Sequence, residues 1–149
     1  MIRKLKLHDK LRIPAKLRAM ALDRTDIDFA QHELDAPVLS IARFIPHPIE
    51  RQVHTLIVLG GGATKQHTDW LPEFHNITYC VPFHLPMRAM LRQEYQSVLL
   101  ENGCCYSFNK SVDHGVDVPD TVKTYAAFIV VDVLTEKAFK DKTLNGVRL

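Results

Sequence analysis

The sequence predicts a mainly β fold built from short strands. The 149 residues suit one domain, and 46% apolar content is enough for a buried core. Turn residues recur at the short intervals of a sandwich or barrel. We predict strands at residues 38–45, 53–59, 77–83, 97–100, 104–109, 115–118 and 124–134. A double-stranded β-helix (a jelly roll) with short N- and C-terminal helices accounts best for this pattern.

The first 36 residues are expected to form an extension that packs on this domain. Residues 1–18 carry basic side chains against the single acid Asp9, and interleaved apolar residues suit an edge strand or a short helix. Pro14 permits a helix from about Ala15. The positive charge indicates a solvated face, or else a guide for an acidic partner or a nucleic-acid backbone. Residues 23–36 turn acidic, and we expect a loop and a short helix around 29–32.

Three later segments complete the prediction. The strand at 53–59 runs into three consecutive glycines, Gly60 to Gly62, which permit a turn with positive φ. Residues 86–95 suit a helical turn or an extended loop, and periodicity does not decide between them. Thr135 can cap a final helix over residues 136–142.

Composition limits the partners and the cellular compartments that we expect for the protein. A net charge of +2 neither requires nor excludes nucleic acid. No segment approaches the roughly 18 apolar residues that a membrane span needs. The basic start lacks the uninterrupted apolar core of a secretory signal. Three cysteines, two of them adjacent, form neither a disulfide framework nor a zinc-ribbon spacing, so we expect reduced thiols in the cytoplasm.

The candidate site consists of His67, Asp69 and the distant His114. On a continuous strand, side chains at i and i+2 face the same way, and the fold would bring His114 from the opposing sheet. Two imidazoles and one carboxylate on one face of a metal leave open positions, an arrangement that suits non-haem Fe(II). The alternative is a jelly roll in which His-x-Asp serves only turn hydrogen bonding, since eight histidines make accidental triplets plausible.

In this order the residues resemble the Fe(II)/2-oxoglutarate-dependent oxygenases, and most closely their aspartyl/asparaginyl β-hydroxylase-like branch. The resemblance covers about residues 53–134. The matched pattern begins with an apolar strand, a glycine turn and His67-Thr68-Asp69. It continues with a segment from Gly103 through Tyr106 and Phe108 to Asn109, then His114, and it ends with a strand that finishes at Asp132.

The resemblance implies iron at His67, Asp69 and His114, with 2-oxoglutarate as cosubstrate. It implies hydroxylation of an unactivated C–H bond of a small molecule or peptide, and the family likeness favours an amino-acid side chain. The family's arginine for the far carboxylate of 2-oxoglutarate is missing here. We expect other residues to bind the cosubstrate in its place: Lys123, Thr124, Tyr79, Tyr106 and Arg88.

Residues beside the triad carry further expectations. Asn109 or Asp113 could orient an imidazole as a hydrogen-bond acceptor, and either could equally cap a turn. Trp70 would line the substrate mouth or simply pack. Arg92 could hold substrate or cosubstrate, or lie at a solvated surface.

Two other classes of function remain open. One is a cupin-like metalloprotein that uses the same three ligands without 2-oxoglutarate. The other is a non-enzymatic jelly-roll component of a larger assembly, with the basic N-terminus as its contact. At this length, substrate recognition could also require a partner or a second subunit.

Overall fold

The computed structural model describes residues 1–5, 12–22, 29–37, 45–60, 62–63, 67–85, 88–118 and 125–144. These residues form ten short strands, two α-helices and one 3-10 turn at Ile49–Arg51. The helices are α1 (Ala15–Leu22) and α2 (Glu136–Leu144). The strands are β1 (Arg3–Lys4), β2 (Phe29–Glu33), β3 (Gln52–Gly60), β4 (Gly62–Ala63), β5 (Ile77–His84), β6 (Met90–Gln93), β7 (Gln96–Leu99), β8 (Tyr106–Asn109), β9 (His114–Val118) and β10 (Tyr125–Val133).

The strands form two sheets, and every pairing is antiparallel. One sheet has six strands in the order β1-β8-β5-β10-β3-β2, and the other has four in the order β4-β9-β6-β7. The chain changes sheets at the glycine run, because β3 ends at Gly60 and β4 begins at Gly62. Gly61 lies outside the described residues. The predicted mainly β jelly roll is confirmed.

The six-stranded sheet is buried on both faces, so its side chains separate into two cores by the period-2 alternation of a strand. The outer core includes Leu56, Val81 and Ile129. The inner core, which lies between the two sheets, includes Leu91, Phe108 and Phe128. Alternate residues along each strand therefore enter alternate cores. The same alternation determines which side chains face the candidate site.

Helix α1 covers the outer face of the six-stranded sheet, where Leu17 and Ala21 are almost fully buried in the outer core. Arg18 donates a hydrogen bond to the carbonyl oxygen of Phe83 in β5, at 2.9 Å. The predicted helix from Ala15 is therefore confirmed, and β1 supplies the expected edge strand by pairing with β8. The N-terminal segment contributes to the core through its apolar face.

Two local predictions are wrong. Residues 29–32, expected in a short helix, belong to strand β2, which pairs along β3 from Phe29↔Leu59 to Glu33↔Thr55. Residues 90–93, expected in a helical turn or a loop, form β6, whose hairpin with β7 turns at Glu94 and Tyr95. In both places ladder hydrogen bonds to a neighbouring strand override a weak local preference. Most of the strand predicted at 38–45 lies outside the described residues.

The other described elements agree with the sequence to within a few residues. Strands β3, β5, β8, β9 and β10 lie where they were predicted. Thr135 caps α2, because its Oγ1 accepts a hydrogen bond from the backbone N–H of Ala138 at 3.2 Å. The three cysteines are free thiols, with Cys80 and Cys105 buried and Cys104 partly exposed. In the described part of the chain, no helix is long and apolar enough to cross a membrane.

Candidate metal centre

His67 and His114 lie directly opposite each other as a cross-strand pair. Each backbone N–H donates to the carbonyl oxygen of the other residue, at 2.9 and 3.0 Å. Such a pair directs both side chains to one face, and the ring centroids are 4.7 Å apart. The expectation that His114 would come from an opposing sheet is wrong: His67 joins the His114 strand as its immediate neighbour.

Asp69 completes the cluster from a segment that is not a regular strand. Its backbone N–H points to the carbonyl oxygen of Lys110 at 3.4 Å, which holds the residue beside the end of β8. Its Oδ1 lies 3.3 Å from Nε2 of His114, and its Oδ2 lies 3.7 Å from Nε2 of His67. One ligand atom from each residue falls within 4.8 Å of the others. The structure thus brings together the three predicted ligands.

The ring of His114 is oriented by the backbone. Its Nδ1 lies 2.9 Å from the carbonyl oxygen of Val112, which can only accept, so Nδ1 carries the hydrogen and Nε2 faces the cluster. Asn109 does not serve this ring. Its Oδ1 accepts from the backbone N–H of Ser111 at 2.8 Å and also contacts the Ser111 hydroxyl, which is the turn-capping alternative. Phe108 packs against the His114 ring at 5.0 Å between centroids.

The three side chains of the cluster differ in their exposure. The His114 side chain is 7% exposed, whereas those of His67 and Asp69 are about half exposed. Burial by itself would raise the pKa of Asp69. The hydrogen bond with His114 and the positive charge of Lys110 outweigh burial and hold that pKa below its ordinary value. Asp69 is therefore an anion at neutral pH and a competent ligand for a cation.

The cluster opens into a cavity of about 160 Å³ between the two sheets. Most of its wall is apolar, with Phe108, Phe128, Leu91, Ile57 and Val130 among the lining residues. Its polar lining beyond the three cluster residues comprises Gln31, Thr55, Lys110 and Asp132. The site thus combines a polar end, where His67, Asp69 and His114 converge, with an apolar body.

Lys110 is the site residue that sequence reasoning missed. Its ammonium lies 3.2 Å from both carboxylate oxygens of Asp132 and 3.8 Å from Oδ2 of Asp69. Both side chains of the Lys110–Asp132 pair are at most 16% exposed. Asp132 stands in an apolar strand, and a buried carboxylate requires a cation or donors. That requirement was the available signal for a partner such as Lys110.

Three of the five predicted cosubstrate residues are described by the structure, and none of these three lines the cavity. Tyr79 points into the outer core, on the opposite face of its sheet. Tyr106 faces inward, but its hydroxyl accepts from the backbone N–H of Glu101 at 2.8 Å, away from the ligands. Arg88 lies in an exposed turn with φ of 66°. Lys123 and Thr124 lie outside the described residues.

Two further side chains have other partners. Trp70 is 42% exposed and donates its indole N–H to the carbonyl oxygen of Phe74 at 2.8 Å. Arg92 pairs with Asp117, with 2.9 Å between Nε and Oδ1. Neither residue is among those that line the cavity.

Comparison with solved structures identifies the architecture. The cupin_2 domain of an XRE-family transcriptional regulator from Enterobacter cloacae superposes with a TM-score of 0.51 at 12% identity, over 74% of this chain and 100% of that one. An HTH_3-family transcriptional regulator from Vibrio cholerae gives 0.51 at 14% identity, over 74% of this chain and 53% of that one.

A third match is a variant of salicylate 1,2-dioxygenase from Pseudoaminobacter salicylatoxidans in complex with gentisate. Its TM-score is 0.52 at 11% identity, over 88% of this chain and 33% of the other. The fold is a cupin-type jelly roll. No protein-family model matches the sequence, and no curated protein does. At these identities the cupin likeness describes the architecture alone, since one fold hosts many functions.

Proposed function

We propose that this cupin-fold chain is a metalloprotein that binds a divalent transition metal, Fe(II) foremost, through His67, Asp69 and His114. The convergence of their ligand atoms within 4.8 Å carries the proposal. Two imidazoles and one carboxylate form the ligand set of non-haem Fe(II) oxygenases. When bound, such a metal supplies open positions for O2 and for a chelating substrate. We therefore propose an oxygenase reaction at this site.

The polarity of the facing atoms supports a bound cation. Because Nδ1 of His114 donates to Val112, Nε2 is the ring nitrogen that faces the Asp69 carboxylate, 3.3 Å away. The negative carboxylate favours a positive charge at this point, which is a proton on Nε2 or a metal ion. A metal ion bound by both satisfies them together. The backbone hydrogen bond from Nδ1 is the kind of supporting contact that metal-binding histidines use.

The cavity supports a small substrate with an apolar body. Phe108, Phe128 and Leu91 are nearly fully buried, and they exclude water from the side of the ligands that faces the inner core. About 160 Å³ is room for a compact molecule. The dioxygenase with a related fold was solved with gentisate, an aromatic hydroxy acid. Aromatic acids are therefore the first substrates to assay.

A second candidate is the 2-oxoglutarate-dependent hydroxylase that the sequence resembles. The described feature that favours it is the Lys110 ammonium inside the cavity, which could meet a carboxylate of the keto-acid. Weighing against it, Tyr79, Tyr106 and Arg88 lie elsewhere. A third possibility, a ligand-binding module without catalysis, is consistent with the two transcriptional regulators of similar fold.

An anaerobic titration tests these candidates. Fe(II) is added first, then 2-oxoglutarate, and a visible charge-transfer band would report the chelated keto-acid. Oxygen consumption with salicylate and gentisate is measured in parallel. Asp69→Ala should abolish iron binding, and His75→Ala, at an exposed histidine outside the cluster, should preserve it.

The outcomes separate the proposals. Iron binding with oxygen uptake and no keto-acid band supports the cupin oxygenase. A band that needs both additions and disappears in Asp69→Ala supports the hydroxylase. Iron binding without either signal supports the binding module. Absence of iron binding in the unmodified protein contradicts the metal site altogether.

A further inference from the structure

We propose that Lys110 forms a carboxylate-binding subsite beside the metal, so that the ligand held in the open positions is a carboxylic acid. This inference rests on the proposed metal site. Lys110 follows strand β8 and lies in the cavity wall next to Asp69, a metal ligand of that proposal. A group bound to the metal on the Asp69 side would lie within reach of its ammonium.

The donors of Lys110 are only partly used. An ammonium has three N–H groups, and the two oxygens of Asp132 accept at 3.2 Å. Asp69 Oδ2, at 3.8 Å, is beyond hydrogen-bond distance and interacts through its charge. Among the described residues, one donor of Lys110 therefore has no protein acceptor. A carboxylate oxygen of a bound ligand could receive it.

Asp132 fixes where that donor lies. A lysine stem has many rotamers, and the paired oxygens of a 13% exposed carboxylate hold the ammonium at one place in the cavity. Asp132 belongs to β10, a central strand between β5 and β3, and it pairs with Val53 of β3. The pair supplies a preorganised donor and so reduces the cost of ordering it when a ligand binds.

The charge of the cavity selects a monoanion. The two carboxylates and one ammonium that line it carry one net negative charge when the imidazoles are neutral. A divalent metal makes the total one positive charge. A monocarboxylate neutralises that charge, and its apolar remainder can contact Phe108 and Phe128. A dicarboxylate leaves one negative charge in a partly buried site, which is costly.

The test uses Co(II)-loaded protein, whose visible spectrum reports both metal binding and ligand binding. Benzoate is titrated against its neutral isostere benzamide, and 2-oxoglutarate is titrated in a separate arm. Lys110→Met keeps the stem and removes the charge, whereas Lys110→Arg keeps the charge. The double variant Lys110→Met with Asp132→Asn avoids a buried unpaired carboxylate if Lys110→Met folds poorly.

We expect the unmodified protein to bind benzoate at least about tenfold more tightly than benzamide, as suits one charge-assisted hydrogen bond. Lys110→Met and the double variant should weaken that preference while still binding Co(II), because the metal's charge still attracts the anion and only the ammonium donor is lost. Lys110→Arg should keep most of the preference. A lysine-dependent preference confined to 2-oxoglutarate would assign the carboxylate to a cosubstrate.

Unchanged selectivity in Lys110→Met and in the double variant, with Co(II) bound, would overturn the subsite and leave the metal site standing. Failure of the unmodified protein to bind Co(II) would instead overturn both proposals. The two failures are distinguishable in one titration, because the metal spectrum is recorded before any ligand is added.

Discussion

Oδ1 of Asp69 lies 3.3 Å from Nε2 of His114, whose other ring nitrogen is committed to the carbonyl oxygen of Val112. The second carboxylate oxygen lies 3.7 Å from Nε2 of His67. One side chain therefore contributes an oxygen towards each imidazole, from a segment whose backbone is held by Lys110. This relationship gives the cluster its expected affinity for a cation.

Metal should stabilise the folded protein through this cluster. Ligand that binds only the folded state at about 100 times its Kd adds about 2.7 kcal/mol of stability. We expect Co(II) to raise the Tm of the unmodified protein and of His75→Ala. His67→Ala and His114→Ala should lose that rise, measured by calorimetry with and without metal. An equal rise in all four proteins would show that the metal binds elsewhere.

Stability should depend on pH through His54, which is 1% exposed and hydrogen-bonded to Gln52 at 2.9 Å. Burial lowers the pKa of His54 from 6.5 to about 4. The unfolded chain therefore takes up a proton that the folded one refuses, and stability is lost as the pH falls from about 6.5 to about 4. The loss should be at most about 3 kcal/mol.

The test for His54 is urea unfolding between pH 4 and 7.5. His54→Gln should flatten the slope in this range, whereas His32→Gln, on the exposed edge strand β2, should leave it unchanged. An unchanged slope in His54→Gln would assign the pH dependence to other groups.

Helix α1 should contribute to global stability through Leu17, which is fully buried in the outer core. Leu17→Ala should lower the free energy of unfolding by about 2–5 kcal/mol, since it leaves a cavity. Lys16→Ala, at the exposed neighbouring position, should change it by less than about 0.5 kcal/mol. If both variants unfold like the parent, the N-terminal segment is not an integral part of the domain, contrary to the single-domain prediction.

The thiols should react unequally with iodoacetamide. Burial raises the pKa of Cys105 to about 12 and raises that of Cys80 as well, so both remain protonated and covered. Cys104 is partly exposed, with its sulfur 3.8 Å from Oε2 of Glu101. Mass spectrometry should find Cys104 labelled in the native protein and all three cysteines labelled in denaturant.

Cys104→Ser provides the control for this labelling experiment. It should abolish native labelling while leaving two labelled sites after unfolding. Rapid labelling of Cys80 in the native protein would contradict the buried position of this residue in strand β5 of the six-stranded sheet.

The three residues of the cluster could be predicted because they lie in a short local motif plus one distant histidine. The residues that surround the cluster could not be predicted, since their positions depend on which face of a strand each side chain occupies and on how the strands are aligned. Tyr79 and Cys80 are adjacent, yet they enter opposite cores because β5 alternates its side chains. Lys110 reaches the site because its neighbour Asn109 pairs with Ile77 and its backbone also holds Asp69.

The sequence by itself determined the β-rich class, the main strands, the helix from Ala15 and the three side chains that converge. Apolar alternation, proline and glycine positions, and residue chemistry are local properties that a sequence displays directly. The tertiary structure decided that His67 and His114 are neighbours, that β2 and β6 are strands, and that Lys110 and Asp132 share the cavity. These features depend on hydrogen bonds between segments far apart in the chain, and such pairings overrule the weak local preferences of the residues involved.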